Sequence, residues 1–154
     1  MSGRFELAVE RHIAAPPSRV WQIMTQRITE WWCPKPWTTT VVALDWRDGG
    51  AFHLIMRGPQ GEADCQPEEN VGGVLLEFVP ERRFVFTDAF AADWIPQKAF
   101  MVGTFEISPD GDATRYHASA RHWDEAAMEK HRKMGFDEGW NTVADQLAAL
   151  AEGR

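Results

Sequence analysis

The chain predicts an α+β fold in which a mostly antiparallel sheet carries one long C-terminal helix across its face. The first observation is the segment 123–152, where Phe136, Trp140, Val143, Leu147 and Leu150 recur at helical spacing and form one apolar stripe. Glu129, Lys130, Lys133, Glu138 and Asp145 fall on the other faces, and Asp124 stands where its side chain caps the first turn. The second observation is that the segments ahead of this helix alternate apolar and polar residues with a period of two, as strands buried on one face do. Hairpin-joined strands followed by an amphipathic helix leave that helix a sheet face to cover.

Each element can be justified in order. Phe5, Leu7, Val9 and Ile13 alternate with Glu6, Ala8, Glu10 and His12 in a first strand, which carries Arg11 on its apolar side. Pro16, Pro17 and Ser18 end it, and Val20, Trp21 and Met24 follow at one-turn spacing, predicting a short helix over 18–25. A second short helical piece spans 28–32, after which the prolines of 33–37 (CPKPW) forbid regular structure. Residues 39–46 and 51–57 read as a hairpin around the tight turn Asp48-Gly49-Gly50, with Phe52, Leu54 and Met56 on one face. The polar stretch 58–73 reads as a long loop. Val74, Leu76 and Phe78 then share one face of a strand, and Phe84, Phe86 and Asp88 one face of the next. Met101, Gly103, Phe105 and Ile107 form the apolar side of a further strand, and Tyr116, Ala118, Ala120 and His122 that of the last. The tally is one strand, two short helices, six more strands and the closing helix.

A chain of 154 residues without repeats or linkers is expected to form a single domain over 1–154, with enough core to need no metal or disulfide staple. Cys33 and Cys65 lie far apart with no CxxC pattern, and no apolar signal segment opens the chain, so a reduced, cytoplasmic setting is expected. No segment is apolar enough to span a membrane, and a net charge of −7 without a basic patch argues against nucleic acid and anionic lipid surfaces as partners.

Eight Trp and nine Phe against a single Tyr is an unusual aromatic load for a chain of this size. One fully buried ring removes roughly 150–250 Å² from water, so these residues dominate whatever space they enclose. Two readings follow from the small residues Gly103, Ala118 and Ala120 on the inward strand positions, and from Gly135 and Gly139 one turn apart in the helix. Either they permit close approach of helix and sheet, or they leave volume that rings wall off as a small-molecule chamber. The second reading assigns ligand contact to Phe52, Leu54, Met56, Phe84, Phe86, Met101, Gly103, Phe105, Tyr116, Ala118, Ala120, Phe136 and Trp140. The apolar segment 89–98, with Phe90, Trp94, Ile95 and Pro96, suits a lid, a homodimer contact or packing on the first short helices.

The element order, together with 11–21 (RHIAAPPSRVW), the Trp31-Trp32 pair, 45–52 (DWRDGGAF), 73–87 (GVLLEFVPERRFVFT) and 134–150 (MGFDEGWNTVADQLAAL), resembles the helix-grip (START-like, SRPBCC) superfamily. That superfamily includes START lipid-transfer domains, birch-pollen-type allergens and polyketide cyclases. Within it, the chain resembles single-domain bacterial-type members of the family named after the activator of the heat-shock chaperone ATPase. The resemblance implies a curved antiparallel sheet of about seven strands wrapped around the long helix, with a chamber between them. It also implies a range of roles, from hydrophobic-ligand binding to cyclase-like chemistry to chaperone interaction in the stress response. Eukaryotic co-chaperone members carry an additional domain with no counterpart here, which turns the expectation away from chaperone activation.

Catalytic chemistry finds little purchase. The histidines lack metal-ligand spacing, no GxSxG or phosphate loop occurs, and no cofactor is predicted. Asp88, Tyr116 and His122 are the weak catalytic candidates, able in principle to serve acid-base chemistry of cyclase or hydrolase type inside the chamber. The expected partner is a small hydrophobic molecule, carried, sensed or sequestered; a homodimer and a chaperone are the other partners considered.

Overall fold

Alternation in the sequence becomes one-sided burial in seven strands that pair edge to edge. The computed structural model describes residues 4–62 and 72–153, so Cys65 and most of the predicted 58–73 loop lie outside the described residues. The strands are β1 (Glu6–Ile13), β2 (Thr38–Leu44), β3 (Ala51–Arg57), β4 (Gly73–Val79), β5 (Arg83–Thr87), β8 (Val102–Asp110) and β9 (Ala113–Arg121), with a two-residue hairpin of β6 (Phe90–Ala91) and β7 (Ile95–Pro96) between β5 and β8. They form one curled antiparallel sheet in the order β1-β9-β8-β5-β4-β3-β2. Helix α1 (Pro17–Gln26) and a single 3-10 turn (Ile28–Glu30) occupy the crossover from β1 to β2, as the sequence predicts.

The closing helix is not continuous. Chain 123–152 divides into α2 (Glu125–Lys133) and α3 (Phe136–Glu152). Asp124 caps α2 as expected, accepting from the Ala127 amide at 2.8 Å. The break falls at Gly135, whose φ of +93° belongs to the left-handed region that glycine enters without penalty. Phe136 then starts a new helix with Asp137 and Glu138 in its first turn, where carboxylates complement the helix dipole. Gly135 therefore serves the break and not a close approach to the sheet.

Three other expectations are corrected. Phe5 precedes β1 with φ +58°, and its carbonyl accepts from the His122 amide at 3.1 Å. A bulge in β4 between Leu75 and Glu77 resets the alternation, so Leu75 is buried opposite Phe86 and Leu76 faces outward, 39% exposed. In the 89–98 segment, for which a lid, a homodimer contact and packing on the first helices were all expected, Trp94 lies against the β2–β3 turn, 3.4 Å from where a Gly49 side chain would begin.

Val143, Ala144, Leu147, Ala148 and Ala151 of α3 are buried against the concave face and α1. Polar contacts seat the helix: Arg19 of α1 donates to the terminal carbonyls of Leu150 and Ala151, while Arg11, inward on β1 as expected, pairs with Asp145 at 3.3 Å. Gln146 ties the irregular segment after the 3-10 turn, donating to the Trp31 and Cys33 carbonyls and accepting from the Lys35 amide.

Gly103 and Gly139 have opposite surroundings, and two substitutions separate them. A Cβ on Gly103 would stand 2.4 Å from Cε1 of Phe86, its cross-strand partner, whereas one on Gly139 would meet nothing within 4 Å. Gly103→Ala is therefore expected to destabilise by roughly 1–3 kcal/mol through overpacking, and Gly139→Ala to stabilise by about 0.4–1 kcal/mol. Urea unfolding of the two variants checks the pair of signs.

Candidate functional site

The concave face presents a ladder of near-parallel rings. Phe52 of β3 stacks on Phe86 of β5 at 4.6 Å, Phe86 on Phe105 of β8 at 6.1 Å, and Phe105 on Trp140 of α3 at 5.4 Å, with interplanar angles of 28°, 20° and 18°. Phe84 joins through Phe105 at 5.1 Å, and Phe136 touches Trp140 at 4.5 Å. The period-two pattern puts each ring on the same face, and antiparallel register lines the strands up so that the rings meet. The Phe86 ring lies over Gly103, which corrects the expectation that this glycine leaves space empty.

Trp31 and Trp32, missing from the predicted contacts, are integral to the ladder. Trp32 reaches Phe105 at 5.0 Å and Phe52 at 5.4 Å, and fully buried Trp31 lies edge-on to Phe105. The indole N–H of Trp31 has no hydrogen-bond partner among the described residues. Their adjacency in a proline-flanked segment was the available signal; that Gln146 would hold the segment over the sheet had none.

The Phe rings of the ladder are buried, and its floor and its rim differ in exposure. Tyr116, Ala118 and Ala120 lie at most 1% exposed in the deep core of β9, and burial holds the Tyr116 phenol far above its ordinary acidity range, so it keeps its proton. Leu54, Met56, Met101 and Trp140 are half-buried around the ladder. Next to Met56, whose cross-strand partner is Thr39, a groove of about 570 Å³ is lined by Thr29, Glu30, Cys33, Lys35, Pro36, Trp37, Thr38 and Thr39. The Cys33 thiol there is bonded to the Thr39 hydroxyl at 3.0 Å, and burial pushes its pKa up, so it is a poor nucleophile.

Polar groups gather at the end of β5, β8 and β9. Asp88 is 4% exposed; its Oδ1 accepts from the Phe100 and Met101 amides at 2.8 and 3.2 Å, closing the β6–β7 excursion, while Oδ2 is buried without a partner among the described residues. Burial raises its pKa against the opposing pull of those amides. His122 is 6% exposed and bonds His131 of α2 at 2.9 Å. Phe100 joins the two clusters, its amide on Asp88 and its ring 5.6 Å from His122 and 4.9 Å from His131. His131 was set aside in the sequence because it fits no metal pattern, and only the packing of α2 brings it here. No group of three or more His, Cys, Asp or Glu that could hold a metal ion occurs among the described residues.

A helix-grip sheet closed by a C-terminal helix defines the class. The family model for Activator of Hsp90 ATPase homolog 1-like proteins matches residues 14–152, and the chain belongs to that family. Among solved structures, protein NE0264 of Nitrosomonas europaea is similar at 32% identity over 99% of this chain and 97% of that one, with a TM-score of 0.88. Protein Ms6760 of Mycobacterium smegmatis is similar at 25% identity over 95% and 90%, with a TM-score of 0.75. The AHSA1 protein SPO3351 of Silicibacter pomeroyi shares the fold at 20% identity over 97% and 99%, with a TM-score of 0.68. No curated protein matches significantly. No helix among the described residues is long and apolar enough to cross a membrane.

The buried polar cluster sets the pH response. Burial first, and the neighbouring His122 second, lower the His131 pKa from 6.5 to about 4. A base lowered in the folded state stabilises it above the ordinary value and loses that contribution as pH falls through the folded one. About 3 kcal/mol should be lost between pH 6.5 and pH 4, and His131→Leu should flatten that part of the urea-unfolding profile. Asp88 has the opposite sign, since a raised carboxyl pKa favours folding below 3.8 and disfavours it as pH rises. Asp88→Asn should match or exceed the wild type in stability at neutral pH, with the difference closing below pH 3.8 when both are unfolded thermally.

Proposed function

We propose that this protein is a single helix-grip domain that binds a small hydrophobic or aromatic molecule between the sheet and α3, as a carrier, sensor or sequestering protein. The observation that supports the reading is the partly exposed apolar rim of the ring ladder: Leu54, Met56, Met101 and Trp140 keep solvent contact beside the buried stack of Phe52, Phe86 and Phe105. An apolar rim of this kind gains by covering its exposed area, at roughly 25 cal/mol per Å² removed from water. The adjoining groove of about 570 Å³ is within the size range of small-molecule sites. Phe84, Gly103, Tyr116, Ala118, Ala120 and Phe136 act in this reading as the packed floor beneath the contact residues. Catalysis is not required: Tyr116 keeps its proton, and Asp88 is occupied in closing a loop.

A second reading rests on a separate observation. Trp94 and Ile95 are 56% and 54% exposed, and both Asp93 and Trp94 have positive φ, a costly conformation for a bulky side chain. Such a surface suits a protein partner, a second copy or a chaperone of the kind the family description names.

Native mass spectrometry of protein purified from its own host, with naphthalene binding followed by tryptophan fluorescence, tests the first reading. A co-purifying small molecule is expected, and Leu54→Trp should weaken naphthalene binding at least tenfold without unfolding the chain. Absence of any bound molecule together with unchanged naphthalene affinity in Leu54→Trp would overturn the ligand reading and favour the Trp94 surface.

A further inference from the structure

The two edges of the sheet are built differently. β1 carries Glu6, Glu10, Arg11 and His12, and ion pairs from Glu6 to Arg121, Glu10 to Arg115 and Arg11 to Asp145 keep charge along it. β2, at the opposite edge, reads TTTVVAL: seven residues, rich in β-branched side chains, with no charge, proline or glycine among them. Charged side chains, prolines and covering elements are the means by which an edge refuses another strand. Among the described residues β2 pairs with β3 alone.

Every β2 residue except Thr39 reaches solvent, with Val41 40% and Val42 52% exposed. An edge strand turns alternate N–H and C=O groups away from its neighbour, and no backbone hydrogen bond from the described residues reaches β2 on that side. The bulge between Val41 and Ala43 is the one edge device present, and it leaves Thr38–Val41 in regular register with Leu54–Arg57 of β3. The two ends of the strand differ in sign. Lys35 stands before it, where Glu30 is already held by Arg27; after it, Asp45 and Asp48 outnumber Arg47. One end is therefore net positive and the other net negative.

We infer that β2 pairs antiparallel with β2 of a second copy of this chain across a two-fold axis, joining two seven-stranded sheets into one. Directly opposite residues of an antiparallel pair share a face of the sheet, so the axis falls on a residue, and Thr40 is the centre that keeps to the regular part of the edge. That register sets Thr39 opposite Val41 and brings the Lys35 end of each strand to the Asp45 end of the other. A parallel partner would set like ends together, so charge selects the self-complementary arrangement. Thr38 and Thr39 also line the groove of about 570 Å³, and pairing places the two grooves beside one another at the seam. Two edge strands bury less than the roughly 1,200–2,000 Å² of a standard interface, so the dimer is weak, with a dissociation constant in the micromolar range. The inference is independent of the ligand reading.

Sedimentation equilibrium across the micromolar range tests the inference, and should find the 17.5 kDa chain in reversible exchange with a species of twice that mass. Thr40→Lys, at an exposed position, sets like charges against each other on the axis and should weaken the dimer at least tenfold, with circular dichroism confirming that the variant is folded. Lys35→Asp should weaken it too, and adding Asp45→Lys to that variant should restore the association, which a general loss of stability would not do. Amide hydrogen exchange of the wild type needs no substitution: protection at Thr38–Val42 should rise with protein concentration while that of β1 stays constant. A monomer at every concentration, or a dimer indifferent to Thr40→Lys, would overturn the pairing. In the second case, dissociation by Trp94→Ser would move the interface to the Trp94 surface. A monomer whose β2 amides are protected only by an added TTTVVAL peptide would assign the edge to an extended peptide instead.

Discussion

Contact between the apolar face of α3 and the trough of the curled sheet is the constraint on which the other features depend. A seven-stranded antiparallel sheet with one apolar face cannot leave that face in water, and a single helix is narrower than the trough it enters. Val143, Leu147 and Ala151 seal the part of the trough near β1 and α1. Toward β3 and β5, rings from the strands and from the Trp31–Trp32 segment pack the face, with Trp140 of α3 joining them. The ladder from Phe52 to Trp140 is the bridge across that part.

Packing already engages the rings that the proposed ligand reading draws on. Ring pairs add roughly 0.5–1.5 kcal/mol each beyond the area they bury, so the ladder stabilises the fold even with no guest present. Its Phe rungs are buried, while Leu54, Met56 and Met101 at its rim and Trp140 at its end stay half-buried. Gln146 links stability and site: its three hydrogen bonds fix the loop that delivers Trp32 to Phe105, and the same loop walls the groove beside β2. At the polar end the buried polar atoms of the described residues find partners, with Asp88 Oδ2 as the exception.

Much of the fold was legible because strand and helix periods are local. The strand count, the hairpin turn at Gly49-Gly50, the Asp124 cap and the inward position of the Phe52, Phe84, Phe86 and Phe105 rings all follow from residue spacing. The errors share a cause. One inserted residue at the β4 bulge reverses the side chains after it, and one glycine at 135 changes a helix into two; neither leaves a mark on hydrophobic periodicity until backbone angles are known. Gly103 was legible as small and inward, yet whether its space is empty or occupied depends on a ring from the neighbouring strand.

The sequence by itself determined the class of architecture, the inward faces and the richness in rings, since these depend on residue type and on periods of two and 3.6. It could not determine which rings touch or which nitrogen of a histidine holds its proton. Those depend on groups such as Phe5 and His122, or His122 and His131, that are brought within 3 Å by strand pairing and by the turn at Gly135. Hydrogen bonds act over one atomic contact, and only the folded chain decides which atoms meet.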